Sequence, residues 1–164
     1  MSKNKAMLGF EHPLCDRIQL VMVILFFVSW VLDSLSRFIS GYSTVILEAI
    51  SFPSLLLGTI VFLCLGSYLV SKAHKAVINR RGQPKLVDSG VYAVVRHPMY
   101  LGILLFCLSF LFISFSLLST GIWIVFFILY DRMATYEEGS LIRILGNEYV
   151  AYQKRVAKWF PKLR

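Results

Sequence analysis

From Met99 to Tyr130 the chain carries no charged residue, and this run of 32 positions constrains the fold more than any other stretch. At about 1.5 Å per residue, one unbroken helix of that length would overshoot the roughly 30 Å hydrocarbon core of a bilayer. The run must fold back. Ser114, Ser116, Ser119, Thr120 and Gly121 mark the turn, so a helical hairpin with arms at 98–114 and 116–130 is expected. Composition agrees: 57% of the 164 residues are hydrophobic and 16% charged, the balance of a chain made largely for lipid.

Two further apolar runs precede the hairpin. The first, 18–32, is short for a crossing, and Gln19 and Asp33 are expected to reach the headgroups at its ends. The second, 52–71, opens with Pro53 in a first helical turn and carries Gly58 and Gly66 as points of close helix approach. Between them, residues 33–51 have room for a short interfacial helix. The predicted class is therefore an all-α integral membrane protein, a single domain of about four transmembrane helices ending in the hairpin.

The charges orient it. The densest basic loop, within 72–97, holds Lys72, His74, Lys75, Arg80, Arg81 and Lys85, and the tail 131–164 adds Arg143, Lys154, Arg155, Lys158, Lys162 and Arg164. The positive-inside rule places loop and tail in the cytoplasm, and four crossings bring the N-terminus there too. The first apolar run reads as a retained span rather than a signal peptide. In the tail, Leu141, Ile144, Leu145, Tyr149 and Tyr152 recur at helical spacing around Gly146, which predicts two cytoplasmic amphipathic helices joined near Gly146-Asn147. A net charge of +8 would suit nucleic acid, but the basic residues fall between apolar runs, which points to topology and anionic lipid headgroups instead. Cys15, Cys64 and Cys107 have no metal-ligand spacing, and neither a metal site nor a disulfide is expected.

Chemistry-bearing residues gather where the loop meets the hairpin. Tyr92, Arg96, His97 and Tyr100 lie on a turn introduced by Ser89-Gly90, with Pro98 at the start of the helix and Gly102 open to a close neighbour. An interfacial arginine and histidine that merely meet headgroups would look the same. Glu137 and Glu138 follow the last apolar segment by about one and a half turns, so one of them can point back toward that turn. Paired carboxylates on a solvated helix face are the plain alternative. Arg132 serves equally as a membrane-edge anchor or as the planar fork that holds a substrate carboxylate.

These residues resemble a known family. Ser89-Gly90-Val91-Tyr92, Arg96-His97-Pro98-Met99-Tyr100-Leu101-Gly102, Glu137-Glu138, Leu141, Leu145-Gly146-Asn147-Glu148-Tyr149, Tyr152, Arg155-Val156 and Pro161 are similar, in order and near-family spacing, to the signature of the isoprenylcysteine carboxyl methyltransferase and phospholipid methyltransferase superfamily. The resemblance covers roughly residues 84–161. It implies a small membrane enzyme that binds S-adenosylmethionine without a Rossmann domain, with Lys85, Leu86, Val87, Tyr92, His97, Pro98, Met99, Tyr100, Glu137 and Glu138 as cofactor contacts. Arg132 and Arg96 are the candidate catalytic residues, and the acceptor would be a lipophilic group, prenylated or acylated, arriving through the bilayer.

One departure concerns the acceptor. In the branch that methylates lipid-modified cysteine, an arginine lies four residues before the cofactor glutamate, whereas here Met133 takes that place and Arg132 lies five before Glu137. Five residues rotate the side chain off the shared helix face. Carboxyl O-methylation of an isoprenylcysteine leads the readings. Phospholipid-amine N-methylation and a non-catalytic four-helix scaffold stand beside it. A carboxylate is already ionised at neutral pH and needs only orientation, while an amine would need His97 or a glutamate as base. Tyr92 and Tyr100 offer ring faces to a sulfonium.

Overall fold

A computed structural model describes residues 13–39, 52–78, 86–113 and 116–161, with the side chains of 13–16 and 36–39 left aside. The expected interfacial helix beyond Ile39, the basic residues Arg80, Arg81 and Lys85, Ser114, and the ends of the chain lie outside the described residues.

The architecture is all-helical: α1 (Pro13–Ile39), α2 (Phe52–Ile78), a 3-10 turn (Gly90–Ala93), α3 (Pro98–Ile113), α4 (Leu117–Leu145) and α5 (Asn147–Arg155). Helices α1, α2 and α4 contain segments long and apolar enough to cross a membrane, while α3 is a shorter apolar helix. Their outward faces confirm the solvent. Leu20, Ile24 and Val28 on α1, Leu57, Ile60 and Val61 on α2, and Ile124, Val125 and Ile128 on α4 are all exposed, a surface that only lipid accommodates at this extent.

Helix α3 packs most extensively on α2, through two glycines. A Cβ on Gly66 would lie 2.7 Å from the Gly102 carbonyl oxygen, and one on Gly102 would lie 2.9 Å from the Gly66 oxygen, so the backbones touch where side chains are missing. The hairpin forms as the uncharged run requires. Helix α3 ends at Ile113, and Ser116 caps α4 by accepting from the Ser119 amide at 3.0 Å. Helix α1 closes against α4 around buried Phe26 and Phe126, with Ser29 Oγ 3.2 Å from Ser119 Oγ and Trp30 Nε1 donating to the Phe110 carbonyl.

Two expectations need correcting. Asp33 is not turned out to the headgroups but buried, at 7% exposure. Nor is there a break where the charges resume at Asp131 and Arg132: α4 continues from the hairpin to Leu145, and the first tail helix is its extension. Backbone hydrogen bonds form locally and disregard the polarity boundary, so the helix passes through it. At about 1.5 Å per residue its 29 residues span about 44 Å, more than a bilayer core and long enough to bring Glu137 and Glu138 to the edge of the lipid. The break at Gly146 is present, with φ of 55° that favours glycine.

Candidate functional site

The chain reaches α3 through a short non-helical approach. Gly90 opens the 3-10 turn at φ 64°, and Tyr152 of α5 donates its hydroxyl to the Tyr92 carbonyl at 2.7 Å. Val95 then pairs with Ala157 in a parallel bridge, and the Arg96 amide donates to the Ala157 carbonyl at 2.9 Å. Pro98 starts α3, where a missing N–H costs nothing, and the His97 carbonyl accepts the first helical bond from Leu101. His97 is thereby fixed at the mouth of a helix too short to outreach the membrane surface.

Helix α4 brings its carboxylates to that point. His97 Nε2 lies 3.0 Å from Glu138 Oε1, and Nδ1 lies 3.6 Å from Glu137 Oε2. The Tyr100 hydroxyl donates to Glu137 Oε1, and the Gln153 amide of α5 donates to Glu138 Oε2 at 3.0 Å. Arg96 completes the centre. Its Nε stands 2.9 Å from Glu138 Oε1 as an ion pair without hydrogen-bond alignment, while Nη1 donates to the Gln153 and Val156 carbonyls at 3.0 and 3.3 Å. The guanidinium therefore caps the end of α5 as well as compensating Glu138.

Burial shapes the electrostatics. It lowers the basicity of the buried His97 imidazole, but the contacts and charges of Glu137 and Glu138 outweigh it and raise the pKa above the ordinary 6.5. Among the expected residues, Arg96, His97, Tyr100, Glu137 and Glu138 meet in one cluster. Pro98 is buried at the helix start, and Val87, Tyr92 and Met99 are half-buried around it. Leu86 packs with Tyr149, Tyr152 and Val156 in the cluster that seats α5. Lys85 lies outside the described residues. Arg132 is exposed on α4 and does not enter the cluster, whereas Met133 in the neighbouring position is buried in the core.

Three participants escaped the sequence reading. Gln153 closes Glu138 from α5, Tyr130 packs 4.6 Å from the Tyr100 ring, and Trp159 stands 6.0 Å from the imidazole. Trp159, the single tryptophan of the tail, was the available signal. On the lipid side, an open groove of about 630 Å³ runs between α1, α2 and α3, lined by Gln19, Val23, Ser67, Val70, Ile103 and Phe106. Ile103 and Phe106 lie one and two turns along α3 from Met99, so the groove lies on the Met99 face of that helix.

Fold and site together define a class: a helical membrane protein with a buried centre of paired carboxylates, histidine and aromatic rings where α3 meets α4. Comparison with known proteins agrees. The family model for phospholipid methyltransferase matches residues 50–148, and the chain belongs to that family. The protein-S-isoprenylcysteine O-methyltransferase of Schizosaccharomyces pombe is 30% identical over 135 residues, 71% of this chain and 57% of its own length. Protein-S-isoprenylcysteine O-methyltransferase B of Arabidopsis thaliana is 32% identical over 92 residues, 56% of this chain and 47% of its own. The chain thus spans about half the length of the curated relatives it matches.

Proposed function

We propose that this protein is an S-adenosylmethionine-dependent membrane methyltransferase whose acceptor is the carboxylate of a lipid-modified cysteine. The observation that carries the reading is the convergence of Glu137 and Glu138 on His97 and Tyr100, across 41 positions between His97 and Glu138. Carboxylates against aromatic rings suit a ligand bearing both an ammonium and a sulfonium. In this reading Tyr100, His97 and Glu137 would hold the cofactor. When bound, it supplies an electrophilic methyl group.

The chain's own contribution is placement. An in-line displacement needs donor and acceptor aligned and water excluded, and a cluster half-closed by α4 and α5 provides that. Glu138, engaged by His97, Arg96 and Gln153, braces the centre, and Glu137, which meets Tyr100 and lies 3.6 Å from His97, is the carboxylate assigned to the ligand. The apolar groove would receive the acceptor's lipid tail, and the names of the curated relatives support a prenylated one. The basic loop and tail support a cytoplasmic placement of this face.

One observation favours a second reading. Exposed Arg132 stands off the cluster, and Arg96, the arginine described within it, is engaged by Glu138, so a phospholipid amine, which would suit the family's name, is the second reading. Incubation with methyl-labelled cofactor and a membrane extract separates the two. A base-labile methyl ester supports the carboxylate, and a base-stable label supports the amine. Purified protein that binds neither the cofactor nor its demethylated product by calorimetry would sink both.

A further inference from the structure

Residues 157–159 tie the tail to both α4 and the approach to α3. Lys158 Nζ donates to the Asp131 carbonyl at 3.0 Å, to Asp131 Oδ1 at 2.5 Å and to Thr135 Oγ1 at 2.8 Å. An ammonium has three donors, and all three are spent on one turn of α4. The Trp159 indole N–H donates to the same Asp131 Oδ1 at 2.8 Å. Two residues earlier, Ala157 is tied to Val95 and Arg96, the residues that lead directly into His97. These tethers deliver the buried indole to a defined place, 6.0 Å from the His97 ring and 5.4 Å from Phe127.

We propose that Trp159 is a positioning residue for the His97–glutamate centre, held against the imidazole by a latch that Asp131 and Lys158 close on α4. The proposal rests on the methyltransferase reading only for what the centre binds. His97 must address two carboxylates with its two ring nitrogens, and a rotation of the ring breaks at least one contact. Two aromatic rings restrict that rotation: Tyr100, stacked at 5.8 Å and 8°, and Trp159, tilted at 40°. Tyr100 belongs to the same helix start as His97 and moves with it, so Trp159 is the restraint supplied from outside. The ion pair itself explains little stability. Asp131 is 42% exposed, and solvent-screened pairs contribute little, whereas immobilising a lysine on three acceptors costs side-chain entropy. What the latch fixes is the indole.

The test uses the full chain in detergent, with labelled histidine followed by NMR and S-adenosylmethionine as the calorimetric probe. Of the three histidines, the His97 signal is the one lost in His97→Gln. Trp159→Leu is expected to move the His97 titration toward 6.5 and weaken binding of the probe by at least about fivefold, with Trp159→Phe restoring both to within about twofold of wild type. Asp131→Asn should shift the titration the same way by a smaller amount. A folded Trp159→Leu protein with an unmoved titration overturns the proposal, as does Trp159→Phe behaving like Trp159→Leu. Should the leucine variant fail to fold, an unmoved titration in Asp131→Asn overturns it instead. A wild type that ignores the probe defeats the methyltransferase reading, while the titrations still decide the positioning claim.

Discussion

The imidazole of His97 and the carboxylate of Glu138 meet at 3.0 Å, with the side chains 7% and 11% exposed, joining the start of α3 to the far end of α4. Neither helix alone makes a site. Their junction sets a buried imidazole between two carboxylates, and its consequences can be measured.

The first concerns pH. The folded-state pKa of His97 is raised, so the imidazolium's contribution to stability is complete below the ordinary 6.5 and disappears as pH climbs through the raised value. Melting temperature in detergent, followed from about pH 6 to pH 9, should therefore fall more steeply for wild type than for His97→Gln. Parallel curves would contradict the pairing.

The two glutamates should separate. Glu138 is engaged by His97, Arg96 and Gln153, while Glu137 meets Tyr100 and, more distantly, His97. Glu137→Gln should lower cofactor affinity at least about tenfold, with a smaller loss of thermal stability than Glu138→Gln. Glu138→Gln should lower both. Calorimetry and thermal melts on the same preparations give the comparison, and equal stability losses would merge the two roles.

Arg96 braces α5. Removing one partner of a buried ion pair costs about 3–5 kcal/mol, and here the same side chain also leaves two helix-end carbonyls. Arg96→Ala is expected to loosen residues 147–161, seen as faster amide exchange there, and Arg96→Lys should rescue it poorly because lysine lacks the planar fork. A well-protected α5 in both variants would remove Arg96 from this structural role.

Gly66 tests the membrane packing. A Cβ there would meet Gly102 and Phe106 backbone atoms at 2.7 and 2.8 Å, which cannot swing aside as a side chain would. Gly66→Ala should destabilise by about 1–3 kcal/mol. The control is Gly121→Ala, where nothing lies within 4 Å and the loss of a helix-interior glycine should stabilise by about 0.5–1 kcal/mol. Detergent melts that rank the two variants the other way would refute the glycine contact.

How much was legible follows from the range of each interaction. The uncharged stretch from Met99 to Tyr130 forces the fold-back because a bilayer has one thickness, and Gly66 and Gly102 announce close approach because nothing else fits there. The Arg96-His97-Pro98 turn and the Glu137-Glu138 pair were visible as polar groups where lipid begins. The continuity of α4 was not. Asp131 and Arg132 read as the end of a span, yet the local backbone hydrogen bonds carry the helix on through the polarity change.

The sequence by itself determined an all-helical membrane chain, its hairpin, and which residues bring charge to the surface, since length, polarity and helical period are local quantities. Only the tertiary structure decided that Glu138 serves His97 and Arg96, that Arg132 stands outside, and that Trp159 closes on the imidazole. Those pairings depend on the rotation of α4 against α3 and on the return of the last segment along Val95. They are set by packing between elements distant in sequence, and no pattern within one element records them.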